Sequence, residues 1–132
     1  MPGPLFVLIH SPLVGPFTWV PLAAELERRG ASAVVPSLQA ATRGGPPYWA
    51  GHVAAVQAAA AGAVGRPLVL VGHSGAGWLL PAAGQALAGR VAAYVFVDAD
   101  LPRDGHSRLE SFPSPEAIAA FRRAATGGLL PT

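Results

Sequence analysis

The stretch from Leu68 to Gly77, which reads LVLVGHSGAG, decides the fold and raises the question of function. It begins with four branched apolar residues, a pattern typical of a strand buried on both faces. The glycine-rich turn that follows opens a segment, Gly75 to Ala88, with the composition of a helix. The sequence therefore predicts a strand, a tight turn and a helix in direct succession, with Ser74 in the turn.

Small residues flank Ser74 at the positions where such a turn requires them. The chain reverses so sharply that side chains two residues before and after the serine would collide, and Gly72 and Ala76 avoid this. The turn lifts the Ser74 hydroxyl clear of the sheet and directs the Gly75 N–H toward an oxygen on an attacked carbon. This G-x-S-x-G pattern, with alanine as its last residue, predicts Ser74 as a nucleophile and Gly75 as an oxyanion donor. The alternative is an ordinary glycine-rich turn that caps a helix.

Strand-like and helix-like segments alternate on either side of the turn, which is the pattern of a parallel α/β sheet. Four strands are predicted: Leu5 to Ile9, Ser32 to Val35, Pro67 to Val71 and Val91 to Val97. Four helices are also predicted. The first is capped by Thr18 and ended by Gly30, the third runs from Gly75 to Ala88, and the fourth runs from Ser114 and Pro115 to about Thr126. The second runs from Tyr48 to Ala61, with Trp49, Val53, Val56 and Ala60 along one face. Segments 36–47 and 98–114 are predicted as a turn-rich stretch and a loop.

Length and composition exclude several classes of protein. A chain of 132 residues with 52% hydrophobic and 12% charged residues is expected to fold as one domain, 1–132. Its nine basic residues are all arginines and are scattered, so the clustered basic face that nucleic acid requires is missing. Neither a signal peptide nor a membrane span is expected, and the absence of cysteine favours the cytoplasm.

Metal and dinucleotide sites are also unexpected from the motifs. The four histidines show no i,i+4 pairing and no H-E-x-x-H sequence, so no metal site is predicted. The turn GHSGAG does not match G-x-G-x-x-G, and the first strand leads into a proline-containing loop instead of a glycine fingerprint. No cofactor is therefore expected, and the expected ligand is a small-molecule substrate.

Leu5 to Pro102 resembles the N-terminal half of the α/β-hydrolase fold family. The resemblance rests on the serine turn between a strand and a helix, on His10-Ser11-Pro12-Leu13 after the first strand, and on FVDADLP after the fourth. The closest likeness is to small esterases and to members similar to salicylate esterases and hydroxynitrile lyases. It implies a three-layer sandwich with a mostly parallel sheet of order 2-1-3-4, in which the loops after the first and third strands face each other.

The resemblance also implies roles for individual residues. Relatives usually carry His-Gly-x after the first strand, but proline at position 12 has no N–H, so a shifted Leu13 is the candidate second oxyanion donor. His10, Ser11 and Trp78 are candidate residues of the substrate pocket, with His10 shaping the oxyanion loop. Asp98 is a candidate catalytic acid, against the alternative of a structural loop anchor.

The remaining histidines have simpler explanations. His73 adjoins the serine, but neighbouring side chains in this turn point in different directions, so it is expected to be a packing residue. His52 is expected to be a surface or packing residue of a helix. His106 could approach Ser74 only along an unusual loop path.

A serine nucleophile needs an oriented general base, normally a histidine backed by a carboxylate. In the resembling family that histidine follows the last strand, and no position of this chain matches it. We therefore expect a truncated serine hydrolase acting on small ester or related acyl substrates, with little activity alone. Two alternatives are a non-catalytic small-ligand-binding or interaction module, and a chain that self-associates through the exposed apolar strand edge around YVFV.

Overall fold

A four-stranded parallel sheet is the centre of the computed structural model, which describes residues 2–125. Its strands are β1 (Leu5–Ile9), β2 (Ser32–Val34), β3 (Leu68–His73) and β4 (Val91–Val97). They lie in the order β2-β1-β3-β4, and each neighbouring pair is parallel. The predicted α/β class, parallel sheet and strand order are therefore confirmed.

Strand β3 extends further toward the serine than the sequence pattern indicates. Gly72 pairs with both Ile9 and Phe96, and His73 pairs with Val97. The glycine therefore belongs to the strand and not to the turn, so Ser74 is the first residue beyond the sheet. Strand β2 ends one residue before the predicted bound, whereas β1 and β4 match theirs.

Five α-helices and three short 3₁₀ helices are present among the described residues. The α-helices are α1 (Val20–Arg28), α2 (Gln39–Arg43), α3 (Tyr48–Ala60), α4 (Leu80–Ala86) and α5 (Pro115–Ala124). The 3₁₀ helices are Pro16–Thr18, Ser74–Leu79 and Arg108–Ser111. Helix α2 lies in a stretch predicted as turns, and the third 3₁₀ helix lies in the predicted loop 98–114.

Two helices start later than predicted. Thr18 does not cap α1: its hydroxyl donates to the carbonyl of Gly15 at 3.2 Å, and Trp19 is the residue before the helix. The helix after the serine turn begins as a 3₁₀ helix and becomes α-helical only at Leu80. Pro81, which has no N–H, lies in the first turn of α4, where no intrahelical donor is required.

The buried face of α3 also differs from the prediction. The spacing predicts Trp49 on that face, but its side chain is 57% exposed. His52, at 4% exposure, is buried there instead, together with Val53 and Val56. Almost every residue of α3 is apolar, so hydrophobic spacing cannot define which side faces the core.

Alternating side chains of β1 and β3 enter two separate hydrophobic cores, one on each face of the sheet. Leu5, Val7 and Ile9 of β1 pack with residues of α3 and α4, whereas Leu8 packs with Trp19 and with residues of α1. Both faces of these central strands are thus covered by helices, which explains their continuous apolar sequences. The predicted three-layer arrangement is confirmed.

A second compact unit begins at Pro102. Helix α5 starts as predicted: the Ser114 hydroxyl accepts the N–H of Ala117 at 3.1 Å, and Pro115 follows it. The predicted end near Thr126 falls outside the described residues. Within the unit, the rings of Phe112 and Phe121 meet edge to face at 5.1 Å between centroids. A single domain spanning 1–132 stays a prediction.

Strand β4 is the edge of the sheet as far as the structure describes it. It pairs with β3 on one side, and no described strand pairs with its other side. Tyr94, Val95 and Val97 are 46%, 40% and 37% exposed. The predicted exposed apolar edge is therefore present in the described sheet.

Candidate functional site

Ser74 lies at the junction of β3 and the 3₁₀ helix Ser74–Leu79, with its backbone in the left-handed region at φ 52°. A side chain in this conformation costs about 1–3 kcal/mol and persists only where the surrounding structure enforces it. The surroundings here are the paired end of β3 before Ser74 and buried Gly75 and Ala76 after it. The serine is thus held in a strained conformation at the carboxyl edge of the sheet, where parallel sheets bind ligands.

The flanking residues are small, as the sharp reversal requires. A Cβ added to Gly72 would lie 3.1 Å from the methyl groups of Leu80, so the strand end and α4 approach closely. Gly75 is the second residue of the 3₁₀ helix, and N–H groups in the first turn of a helix have no partner within it. The Gly75 N–H is therefore available to an oxygen beside Ser74.

The loop after β4 is fixed against this helix by a close backbone contact. A Cβ on Gly77 would lie only 2.3 Å from the carbonyl oxygen of Asp100 and 3.1 Å from Cβ of Ala99. Only glycine permits this approach. The contact brings the loop that carries Asp98 alongside the turn that carries Ser74.

Asp98 follows β4 at the level at which Ser74 follows β3. His73 and Val97 are paired, so Ser74 and Asp98 are the next residues on two neighbouring parallel strands. Asp98 also has a positive φ, 44°, and its side chain is exposed. Aspartate adopts this conformation more readily than most residues.

The loop after β1 reaches the same edge of the sheet. Ile9 pairs with Gly72, which places His10 and Ser11 beside the end of β3. Ser11 is buried at 3% exposure and organises the loop: its hydroxyl accepts the Leu13 N–H at 3.3 Å, and its carbonyl accepts the Val14 N–H at 3.1 Å. The Leu13 N–H, the candidate second oxyanion donor, thus already has a partner.

His10 is fully buried, and both of its ring nitrogens bind main-chain groups. Nε2 accepts the Leu38 N–H at 3.0 Å, and Nδ1 lies 2.8 Å from the Ser11 carbonyl oxygen. An imidazole held at both nitrogens ties the loop after β1 to the segment after β2. This arrangement suits the loop-shaping role expected of His10.

None of the other three histidines forms a hydrogen bond with Ser74. The ring of His73 packs edge-on against Trp19, with centroids 6.0 Å apart, as expected of a packing residue. His52 Nε2 lies 3.0 Å from the Thr42 hydroxyl, and His106 Nδ1 lies 2.8 Å from the Asp104 carbonyl oxygen. All four histidines fall within residues 2–125, and the hydrogen bonds of His10, His52 and His106 are made with groups other than Ser74.

Trp78 lies four residues beyond the serine in the same 3₁₀ helix and is half-buried. Its indole Nε1 is buried without a hydrogen-bond partner among the described residues. A buried donor without a partner is unusual, because it forfeits the bond that it would make with water. The indole nitrogen is thus enclosed by protein, and Trp78 stays a candidate residue of the substrate pocket.

A cleft of about 400 Å³, lined by Arg66 and Arg90 among others, lies at the amino ends of β3 and β4, opposite Ser74. Across residues 2–125, no group of three histidine, cysteine, aspartate or glutamate side chains could hold a metal ion. In the same residues, no helix is long and apolar enough to cross a bilayer.

The sequence did not indicate the bond between His52 and Thr42. It joins α3 to α2, and the sequence predicts turns instead of a helix around Thr42. Burial lowers the pKa of His52. A histidine with a hydroxyl ten residues away is too common a pattern to have revealed the pair.

Comparison with known proteins identifies relatives in one structural class. The chain is 34% identical over 134 aligned residues to Esterase PIR7B of Oryza sativa subsp. japonica, covering 95% of this chain and 47% of the esterase. A search of family models finds no match.

Two solved structures have the same fold. One is an extracellular alpha/beta-hydrolase from a Paenibacillus species, described as sharing structural and functional homology with tobacco salicylic acid binding protein 2; its TM-score is 0.78 at 25% identity, over 92% of this chain and 51% of that one. The other is a variant of tomato methylketone synthase I complexed with beta-ketoheptanoate, with a TM-score of 0.67 at 18% identity, over 98% and 50%. The chain therefore spans about half the length of the relatives it matches.

Proposed function

The chain has the α/β-hydrolase fold, and from this premise we propose that it carries the nucleophile of a serine hydrolase acting on small ester or related acyl substrates. The observation that carries the proposal is the positive φ of Ser74, 52°, at the end of β3. Glycine would adopt this backbone conformation without strain. A serine held there supports a use for its hydroxyl, because strained residues of this kind cluster at active sites.

The proposed reaction proceeds through an acyl-serine. Ser74 Oγ attacks the acyl carbon of the ester, its proton passes to a base, and the bond to the leaving alcohol breaks as the alcohol takes a proton. Water then attacks the acyl-serine, which releases the acid and restores the hydroxyl. The Gly75 N–H stabilises the oxyanion in both steps. The Leu13 N–H donates the second hydrogen bond to the oxyanion, after its bond to the Ser11 hydroxyl has broken.

We propose none of the described histidines as the general base. Within residues 2–125, His10, His52 and His106 bind other partners, and His73 packs on Trp19. We therefore propose that this chain alone reacts slowly and that the imidazole comes from additional polypeptide. Asp98 is the proposed acid that would orient such an imidazole, since it lies beside Ser74 at the end of the neighbouring strand.

The proposed substrate is a small acyl compound bound at the carboxyl edge of the sheet. His10, Ser11 and Trp78 are the proposed pocket residues: His10 and Ser11 follow β1 beside the end of β3, and Trp78 lies in the helix that Ser74 begins. The names of the relatives, an esterase and a structure complexed with beta-ketoheptanoate, support a small carbonyl compound. The proposed mechanism requires neither a metal nor a cofactor.

Hydrolysis of p-nitrophenyl acetate in the presence of added imidazole tests this proposal. Imidazole hydrolyses the ester by itself, so the rate with Ser74→Ala is subtracted at each imidazole concentration. We expect a Ser74-dependent rate that is small without imidazole and rises with its concentration, because the small base replaces the missing side chain. Equal rates for the wild-type and Ser74→Ala proteins at every concentration would refute the assignment.

The second candidate function is a small-ligand-binding or interaction module without catalysis. The absence of any imidazole bonded to Ser74 among the described residues favours it. Titration calorimetry with short-chain β-keto acids distinguishes the two functions. Binding that is unchanged by Ser74→Ala, together with no Ser74-dependent hydrolysis, supports the binding module and excludes the hydrolase.

We also propose self-association through β4. The strand contains no charge, proline or glycine that would oppose pairing with another chain, and three of its large side chains are more than a third exposed. Val95→Lys is expected to shift sedimentation toward monomer, while Val64→Lys, at the 85% exposed Val64, serves as the control. A strictly monomeric wild-type protein at all concentrations contradicts this proposal.

The proposed location is the cytoplasm, which the absence of cysteine from the sequence supports. The Paenibacillus structure with the same fold is described as extracellular. Fractionation of the native host, with detection of the chain in the soluble cytoplasmic fraction, tests the location.

A further inference from the structure

A series of buried hydrogen bonds runs from helix α3 to the loop after β1. It passes from His52 to Thr42, from Thr42 to Leu38, from Leu38 to His10, and from His10 to Ser11. His10, Leu38 and His52 are 0%, 0% and 4% exposed. The series joins three segments that are distant in sequence. It ends at Ser11, whose hydroxyl accepts the Leu13 N–H.

The direction of each bond near His10 follows from its partners. The Leu38 main-chain nitrogen can only donate, so His10 Nε2 is the acceptor and carries no proton. A neutral imidazole then carries its proton on Nδ1, which donates to the Ser11 carbonyl oxygen at 2.8 Å. His10 is thereby fixed as the neutral Nδ1–H tautomer.

The same reasoning fixes the opposite tautomer at His52. The Leu38 carbonyl oxygen can only accept, so the Thr42 hydroxyl donates its single proton to it at 3.0 Å. The same hydroxyl must then accept a hydrogen bond from His52 Nε2, which lies 3.0 Å away. The ring proton of His52 is therefore on Nε2. Both the N–H and the C=O of Leu38 are thus held by side chains.

From this geometry we infer that His52 and Thr42 are positioning residues for the oxyanion loop, acting through Leu38 and His10 on the Ser11–Leu13 turn. The inference rests on the proposed function, in which Leu13 donates to the oxyanion. The Leu38 N–H and C=O belong to successive peptide groups, so the two side-chain bonds are coupled through the position of Leu38 itself. The Leu38 carbonyl oxygen accepts both the Thr42 N–H and the Thr42 hydroxyl, each at 3.0 Å. Without the hydroxyl only the main-chain bond remains, so Leu38, whose N–H binds His10 Nε2, is held less firmly.

Burial supports this arrangement by lowering the pKa of His52, which keeps its ring neutral. The Nδ1 atom of His52 has no partner among the described residues. A proton placed there would add a buried donor without an acceptor, which is costly. His52 therefore supplies one donor, at Nε2, to one acceptor, Thr42.

Nuclear magnetic resonance of the 132-residue chain tests the inference without reference to catalysis. The imidazole ¹⁵N shifts of His10 report its tautomer. The amide exchange rate of Leu38 reports its hydrogen bond to His10, and that of Val14 reports its hydrogen bond to the Ser11 carbonyl. Thr42→Val keeps the shape of the side chain and removes the hydroxyl. We expect it to mix the His10 tautomers and to raise both exchange rates about fivefold to tenfold, the effect of losing one hydrogen bond. Thr42→Ser is expected to restore the wild-type values.

Matched variants separate positioning from general destabilisation. Val53→Ala loosens the buried face of α3 beside His52 without touching the series, and it is expected to leave the His10 tautomer unchanged. His52→Gln places an amide donor near the position of Nε2, whereas His52→Asn places it near Nδ1. Only the glutamine variant should keep the wild-type His10 shifts, which decides the question even if Thr42→Val does not fold.

Unchanged His10 shifts in Thr42→Val, or equal shifts in the two His52 variants, would overturn the inference. These readouts do not depend on Ser74 chemistry. A failure of the proposed hydrolase appears instead as equal ester hydrolysis by the wild-type and Ser74→Ala proteins. The two failures are therefore distinguishable.

Discussion

Ser74 and Asp98 hold equivalent positions at the ends of neighbouring strands: each directly follows a residue of the pair His73–Val97, and each has a positive φ, 52° and 44°. Two adjacent strands thus end in the same left-handed conformation, and both residues carry side chains with oxygen atoms. Parallel sheets bind ligands at this edge. This relationship supports the proposed role of Ser74 as a nucleophile on a strained turn.

The strain at Ser74 predicts that glycine is the most stable residue at this position. Ser74→Gly relieves the left-handed strain, whereas Ser74→Ala retains it, so the glycine variant should be more stable than the alanine variant by about 1 kcal/mol. Urea denaturation followed by circular dichroism measures the difference. A glycine variant less stable than the alanine variant would show that the turn is not strained.

The contact between Gly77 and the Asp100 carbonyl predicts that no side chain is tolerated at position 77. A Cβ there would lie 2.3 Å from a backbone oxygen, so Gly77→Ala should destabilise the fold by about 3 kcal/mol. Gly72→Ala, which would meet only the flexible Leu80 side chain at 3.1 Å, should cost about 1 kcal/mol.

Gly62→Ala is the control for the glycine series, because no atom lies within 4 Å of its added Cβ. It should be nearly neutral in the same urea experiment. Equal losses of stability in the Gly77 and Gly62 variants would contradict the close approach of the loop after β4.

Buried His52 predicts a specific pH dependence of stability. Its pKa in the folded protein lies below the ordinary 6.5, so the unfolded chain binds more protons between these two values. The contribution of His52 is complete above pH 6.5 and is lost as pH falls through the lower, folded-state pKa.

His52→Gln cannot titrate and should remove that part of the pH dependence, as measured by urea midpoints between pH 7 and pH 5. Carboxylates with lowered pKa, such as those of Glu25 and Glu110, affect stability only at lower pH. The same decline in the wild-type and His52→Gln proteins would show that another group is responsible.

The N-terminal cap of α5 predicts the cost of removing one hydroxyl. Ser114→Ala deletes the acceptor for the Ala117 N–H and should reduce the stability of the second unit by about 1 kcal/mol. Ser114→Asp keeps an acceptor and should match the wild type. Amide exchange within α5 reports the change, and an unaltered rate for Ala117 in Ser114→Ala would contradict the cap.

The strands and their order were predictable because parallel strands covered on both faces have short, continuous apolar sequences. Strand β1 shows this: Val7 enters one core and Leu8 the other, so each position must be apolar. The serine turn was predictable because Gly72, Ala76 and the positive φ are local requirements of a single reversal of the chain.

The features that were not predicted depend on contacts distant in sequence. The role of Thr42 depends on its hydrogen bond with His52. The buried face of α3 is set by the elements that pack on it, because its own sequence is almost uniformly apolar. The Ser11 hydroxyl binds the Leu13 N–H because Pro12 between them forces a local turn, which the sequence indicated only as a shifted loop. Such pairings are set by tertiary packing, which hydrophobic periodicity cannot specify.

Mapping the site of a fluorophosphonate adduct by mass spectrometry is the decisive test of Ser74 as the nucleophile. We expect the 132-residue chain to be labelled slowly, at Ser74 and not at its other serines, and we expect added imidazole to accelerate the reaction. Ser74→Ala should abolish the adduct. Labelling spread over several serines would contradict Ser74 as the nucleophile, and rapid labelling of Ser74 without imidazole would contradict the absence of a base from the described residues.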